Sequence, residues 1–93
     1  MKQFFVYILT NTYNTCFYVG VTSNISQRYF EHKLKLHPTS FTSRYNLHKV
    51  VFLAPFSDPI DAITYEKKLK GWNRKRKIAL ICASNPSMSD LAK

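Results

Sequence analysis

Two tyrosines, an arginine, a histidine and one late glutamate are the residues of this chain whose types and order could do chemistry together. Tyr7 lies in the apolar run Phe4-Phe5-Val6-Tyr7-Ile8-Leu9, and Tyr18 in Phe17-Tyr18-Val19-Gly20-Val21. Arg28 follows ten residues after Tyr18, His32 comes one helical turn later, and Glu66 stands inside an otherwise basic stretch. A hydroxyl can pass a proton, a guanidinium can grip a phosphate through two parallel hydrogen bonds, and a carboxylate can hold a hard metal ion. Hydrolysis of a phosphodiester needs these groups as a set.

Each residue also has an ordinary reading. Around a helix at 100° per residue, Trp72, Tyr65, Leu69, Ala62 and Ile63 define an apolar arc, and Glu66 falls inside it. An exposed Glu66 paired with Lys70 four residues on would contribute only ~0.3–0.5 kcal/mol. A carboxylate turned toward the core is costly unless a cation or metal meets it. As the only acid between Asp61 and Asp90, Glu66 is the leading candidate for a metal ligand. Arg28 and His32 fall on the helix side that carries Ile25 and Tyr29, and taken alone they read as a surface pair. Tyr7 and Tyr18 taken alone read as strand packing, because a phenol with pKa ~10 is a poor base unless a cation favours the phenolate.

The elements that must position these residues are legible from patterning. Residues 3–10 and 16–22 are dense in aromatic and β-branched types and predict two strands. Asn11-Thr12-Tyr13-Asn14 has turn chemistry, so an antiparallel hairpin follows. A symmetric four-residue loop would pair Thr10 with Thr15 and set Tyr7 opposite Tyr18. Phe5, Tyr7 and Leu9 would then share a face with Cys16, Tyr18 and Gly20, while Phe4, Val6 and Ile8 join Phe17, Val19 and Val21. Ser23 or Asn24 can cap a helix from about Ile25 to Leu36. Residues 37–46 read as a loop, and a third strand over 47–54 ends at Pro55. Asp58-Pro59 has the form of a cap and first helical residue, for a helix ending near Gly71. Asn73 can cap a last helix from Arg74 to about Ala83, stopped by Asn85-Pro86. The seven residues from 87 read as a loose tail on a single domain spanning 1–93.

Composition narrows the class. A 45% hydrophobic and 15% aromatic chain of 93 residues is a folded globule with one core. No apolar run approaches the ~20 residues that span a membrane, and no signal-peptide pattern opens the chain, so a cytoplasmic location is expected. A monomer is expected as the partner state. Cys16 and Cys82 lack metal-ligand spacing, which argues against zinc. The net charge is +9, and Lys67, Lys68, Lys70, Arg74, Lys75, Arg76 and Lys77 place seven of the fourteen cations within eleven residues. Such a block repels itself, which makes a polyanionic partner a natural reason for it, and nucleic acid suits it better than a membrane.

At this point the chain resembles the GIY-YIG nuclease superfamily, in its small single-domain bacterial branch. Phe5-Val6-Tyr7 stands at the first triplet and Tyr18-Val19-Gly20 at the second, with Arg28, His32 and Glu66 following in the family's order. The segment Glu66-Lys67-Lys68-Leu69-Lys70-Gly71-Trp72 and the later Asn85-Pro86 extend the match over roughly residues 4–90. Phe5 replaces the glycine of the first triplet. The resemblance implies an α+β fold of order β-β-α-β-α-α, with a three-stranded antiparallel sheet flanked by helices. It also implies an endonuclease that cleaves nucleic acid, DNA foremost, with one Mg²⁺ or Mn²⁺ ion. Tyr7 would accept or relay the proton of the attacking water, with Tyr18 beside it. Arg28 would stabilise the phosphorane-like charge, His32 would assist by hydrogen bonding, and Glu66 would hold the metal. Tyr45 and Asn85 are candidates to line the site. The competing reading is a catalytically inactive nucleic-acid-binding module on the same fold, with the basic segment 67–77 contacting phosphates.

Overall fold

The computed structural model describes residues 3–24 and 45–91. Three antiparallel strands form the sheet: β1 (Phe4–Thr10), β2 (Phe17–Thr22) and β3 (Lys49–Phe56), in the order β2-β1-β3. Helices α1 (Pro59–Lys70) and α2 (Arg74–Ser84) follow. This is the expected α+β architecture. The helix predicted over 25–36, and with it Arg28 and His32, lies outside the described residues.

The hairpin register differs from the symmetric expectation by two residues. Thr10 faces Phe17, Leu9 faces Tyr18, and Tyr7 faces Gly20. The connection is therefore six residues long, and side chains brace it. Thr10 Oγ1 donates to the Cys16 carbonyl at 2.8 Å, and Asn11 Nδ2 donates to Thr15 Oγ1 at 2.7 Å. Because side chains alternate with period two, a two-residue shift leaves every residue on its predicted face.

Those faces define two clusters. Val6, Ile8 and Val19 pack with Val51, Phe52, Ala62, Leu69, Ile81 and Met88 on the face covered by the helices. Tyr7, Leu9, Leu47 and Val50 form the other cluster, joined by Cys16, Tyr18 and Leu53. Where β1 meets β3 the register slips between Ile8 and Leu9, so that Phe52 faces Ile8 and Val50 faces Leu9. Val51 is the extra residue of this bulge, and its side chain packs into the helix-covered core. The third strand continues through Pro55 to Phe56 instead of stopping before the proline. β3 lies at one edge of the described sheet, and an edge position tolerates a residue that cannot donate.

Both helix starts are as predicted. Asp58 Oδ1 accepts from the Ile60 amide at 2.9 Å with Pro59 at the first position, and Asn73 Oδ1 accepts from the Arg76 amide at 2.8 Å. No helix of the described residues is long and apolar enough to cross a membrane.

The segment after α2, read from sequence as loose, is fastened to β3 as far as Leu91. The Leu91 amide donates to the Val50 carbonyl at 2.7 Å, and Asp90 Oδ1 accepts from the Val50 amide at 3.2 Å. Met88 takes a left-handed φ of 52° and inserts its side chain into the core, where it is buried. Asn85 is the fastener. Its amide donates to the carbonyls of Val51 at 3.1 Å and Ser89 at 2.9 Å, and its Oδ1 accepts from the Ser89 amide. Asn85→Ala leaves these groups unpaired in a buried place, so urea unfolding should show a loss of about 1–3 kcal/mol.

Candidate active site

Tyr7 and Tyr18 are brought together by the hairpin. They are diagonal neighbours on one sheet face, with ring centroids 6.4 Å apart and planes inclined by 43°. Gly20, directly opposite Tyr7, decides where the first phenol goes. A Cβ built on Gly20 would sit 2.5 Å from both Cζ and Oη of Tyr7 and 3.0 Å from Cε2 of Tyr18. The hydroxyl end of Tyr7 therefore lies against the glycine backbone, beside the second ring. Tyr7 is 2% exposed, so its ring has little room to swing away. Glycine inside a strand ordinarily weakens it, and a close approach by another group is the usual reason to keep one there. That signal was available in the sequence, but the face assignment alone did not expose it.

Glu66 lies on α1, on the rim of its buried side. Ala62 and Leu69 are fully buried against the core, whereas Ile63 is 42% exposed, so the apolar arc is narrower than its sequence pattern suggests. The Glu66 side chain is only 12% exposed, and its Oε2 meets Lys70 Nζ at 3.0 Å. The ordinary i,i+4 pairing and the inward-turned carboxylate are thus both present in one residue. A carboxylate so withdrawn from water needs a cation, and Lys70 supplies it. The helix that carries Glu66 packs through Ala62 and Leu69 on the sheet face opposite the tyrosine cluster. Among the described residues no hydrogen bond or ion pair joins Glu66 to either phenol, so the expected convergence of the carboxylate with the tyrosines is not among the contacts found.

The remaining candidates fall elsewhere. Tyr45 is exposed, ahead of a turn where Asn46 has a left-handed φ of 57°. Asn85 is buried and occupied by the bonds that hold the C-terminal segment. Lys67, Lys68 and Lys70 occupy the last turn of α1, and Arg74 to Lys77 open α2. Six of these seven cations are exposed, with Lys77 half-buried. The Arg76 guanidinium stacks 4.1 Å from the centroid of Trp72, whose ring packs on the core. Both cysteines are unpaired and half-buried, packing in opposite clusters.

A family model described as the GIY-YIG catalytic domain matches residues 3–79. The chain belongs to the GIY-YIG family. This is a nuclease family whose members act on nucleic acid and generally depend on a divalent metal. Among solved structures, the chain is similar to the solution NMR structure of a UPF0213 protein from Bacillus halodurans. The two share 22% identity at a TM-score of 0.57, over 89% of this chain and 86% of that one. At that identity the likeness concerns the fold. No curated protein matches the chain.

The residues present can accommodate such a metal on a narrow footing. Among the described residues no three His, Cys, Asp or Glu side chains cluster, so the ion could not sit in an all-protein cage. Mg²⁺ accepts one carboxylate together with water and substrate oxygens, and Glu66 keeps one oxygen beyond the one paired with Lys70. The seat of Tyr7 makes a separate prediction. Gly20→Ala should lower stability by about 1–3 kcal/mol through overpacking and displace the Tyr7 ring. A denaturant midpoint and the tyrosine ring resonances report both effects.

Proposed function

We propose that this GIY-YIG protein is a divalent-metal-dependent endonuclease that hydrolyses DNA, with branched or otherwise irregular structures as its preferred substrates. The observation that supports this reading most is the seating of the Tyr7 phenol against Gly20 beside Tyr18. A ring over a cross-strand glycine also serves sheet packing. What supports the catalytic reading is that the hydroxyl end, as well as the ring, is seated beside a second phenol.

In this mechanism Tyr7 accepts or relays the proton of the attacking water, with Tyr18 holding the phenol in place. Arg28 and His32, from the segment that follows β2, donate to the phosphoryl oxygens as negative charge builds there. Stabilising that charge is what lowers the barrier most in reactions of this kind. The attacking oxygen forms its bond to phosphorus while the bond to the leaving oxygen breaks. Glu66 is the residue that would hold Mg²⁺ or Mn²⁺, which would supply Lewis-acid polarisation of the phosphate.

The basic segment supports nucleic acid as the partner for an energetic reason. Lys67, Lys68 and Lys70 at the C-terminus of α1 complement the helix dipole. The first turn of α2 carries cations and no acid, which opposes its dipole. Each misplaced charge costs ~0.3–1 kcal/mol where it is exposed. Folding alone would not select that arrangement, and a polyanion laid across the α1–α2 corner offsets it.

One observation favours the alternative of a non-catalytic binding module: the Lys70 ammonium already neutralises Glu66. Cleavage separates the two readings. Labelled duplex, branched and single-stranded DNA incubated with Mg²⁺ or Mn²⁺ should be cut by the native protein. Tyr7→Phe should slow cutting by ~10²-fold or more, as loss of a proton-transfer group does. Glu66→Gln should abolish the response to metal. Undiminished cleavage by Glu66→Gln would remove that residue from the site, and absence of cleavage on every substrate would leave the binding module. Independently, replacing Lys75, Arg76 and Lys77 by Ala should flatten the dependence of log affinity on log salt. The slope on duplex DNA should fall by roughly 0.9 for each phosphate that is no longer neutralised.

A further inference from the structure

The loop joining β1 to β2 has no part in the mechanism above, yet it is built more firmly than a connection requires. Asn11 Oδ1 accepts from the Thr15 amide at 2.8 Å while Asn11 Nδ2 donates to Thr15 Oγ1 at 2.7 Å. The Asn14 amide donates to the Asn11 carbonyl at 3.1 Å, and Asn14 turns the chain with a left-handed φ of 55°. Thr12 Oγ1 lies 3.3 Å from His48 Nε2, which ties the loop to the start of β3. On this frame Tyr13 is 82% exposed, more than any other large hydrophobic residue described. Lys49 stands at the same end of the sheet, paired with Thr10.

A braced loop that holds an aromatic ring in water has already met the ordering cost that binding would otherwise exact. Tyrosine adds little more, having two side-chain torsions to fix. The ring offers a flat apolar face on a protein of net charge +9. Aromatic side chains displayed among cations are how proteins hold unpaired nucleobases, because every base has a face to stack. Bases within a duplex have their faces covered by neighbours and offer only edges. We propose that Tyr13 is a stacking residue for an unpaired nucleobase, and that the β1–β2 loop, tied to His48, forms a strand-binding surface at the loop end of the hairpin that carries the tyrosine pair.

This proposal rests on the nuclease reading for its choice of nucleic acid as partner, and it deepens that reading by naming the unpaired strand. Tyr13 precedes Tyr18 by five residues, which keeps their Cα atoms within ~18 Å even if the chain were fully extended. With phosphates ~3.4 Å apart along a stacked strand, a base on Tyr13 lies within about five nucleotides of a linkage at the tyrosine pair. An unpaired base that close to the cut would make the enzyme prefer junctions, flaps or gaps to continuous duplex.

The test is binding without divalent metal, read by fluorescence anisotropy. The probes are a short thymidine oligonucleotide, its uridine counterpart and a blunt duplex of the same length. Tyr13→Ala should weaken single-strand binding by about tenfold, whereas Tyr13→Phe, which keeps the ring, should stay within about twofold of the native protein. Duplex binding should change little in either variant, and the tighter of the two single strands names the sugar recognised. Unchanged single-strand binding by Tyr13→Ala, an equal loss on duplex, or an equal loss in Tyr13→Phe would each overturn the proposal. Because no metal is present, a protein that cuts nothing can still show the expected pattern, in which case the nuclease reading fails and the stacking residue stands. Cleavage combined with native-like binding by Tyr13→Ala would overturn this proposal alone.

Discussion

Strand β1 is enclosed on every side, and the placement of the catalytic candidates depends on that. It pairs with β2 along one edge and β3 along the other, and from Val6 to Thr10 no residue is more than 2% exposed. A strand so confined cannot rotate a side chain out to solvent without opening the core. Its threonine is satisfied too, since the Thr10 hydroxyl donates to the Cys16 carbonyl. Tyr7 is therefore aimed by packing on both faces at once. Its hydroxyl end lies over a residue without a side chain, Gly20, where a Cβ would collide with it. An orientation set by the core means that the phenol needs no reorganisation to take up the role proposed for it.

The charges obey a different logic. Glu66 is drawn toward the core by its place on α1 between Ala62 and Leu69, and Lys70 one turn on keeps it from being an uncompensated charge. The same lysine belongs to the basic segment that runs into α2. Electrostatics at this corner thus joins a nearly buried anion to a surface of exposed cations through one shared residue. In the first turn of α2 the cations work against the helix dipole, so local stability has been given up there. Asn73 restores part of it as a cap, and the stacking of Arg76 on Trp72 turns one cation into a packing element.

Much of this architecture was legible in the chain itself, and the exceptions have physical causes. Alternation told the two faces of β1 and β2 correctly, since burial on both sides leaves a clear period-two pattern of cluster partners. Asp58-Pro59 and Asn73 marked both helix starts because capping is chemistry local to a few residues. The hairpin register was not legible. It depends on side-chain bonds across the loop, Asn11 to Thr15 above all, and turn composition does not encode how many residues such bonds will enclose. Pro55 was misleading because a proline's effect on a strand depends on which edge faces outward. The tail was misleading because its order comes from Asn85 and Asp90 reaching strand β3, contacts between residues thirty to forty positions apart. Among the site candidates, the tyrosine pair was foreseeable from its two apolar runs. The glycine that seats it, and the narrowed arc that leaves Glu66 on a rim, needed the packed helix and sheet to be seen.

The register also explains why the loop and the site belong together. Had the hairpin closed with four loop residues, Tyr7 would face Tyr18 directly, and Gly20 would lie opposite Phe5. Directly opposed residues bring their Cβ atoms to ~4.5–5.5 Å, which stands two rings side by side and leaves no open backbone beneath either hydroxyl. With six loop residues the second strand slides by one full side-chain repeat. The faces are preserved, Tyr18 becomes a diagonal neighbour, and the glycine arrives opposite Tyr7. The bonds within residues 10–16 that hold this longer loop are thus the same bonds that select the phenol's seat. A loop whose internal order sets the spacing of the site is also a fixed platform for whatever its apex carries. That gives Tyr13 a defined position relative to the tyrosine pair.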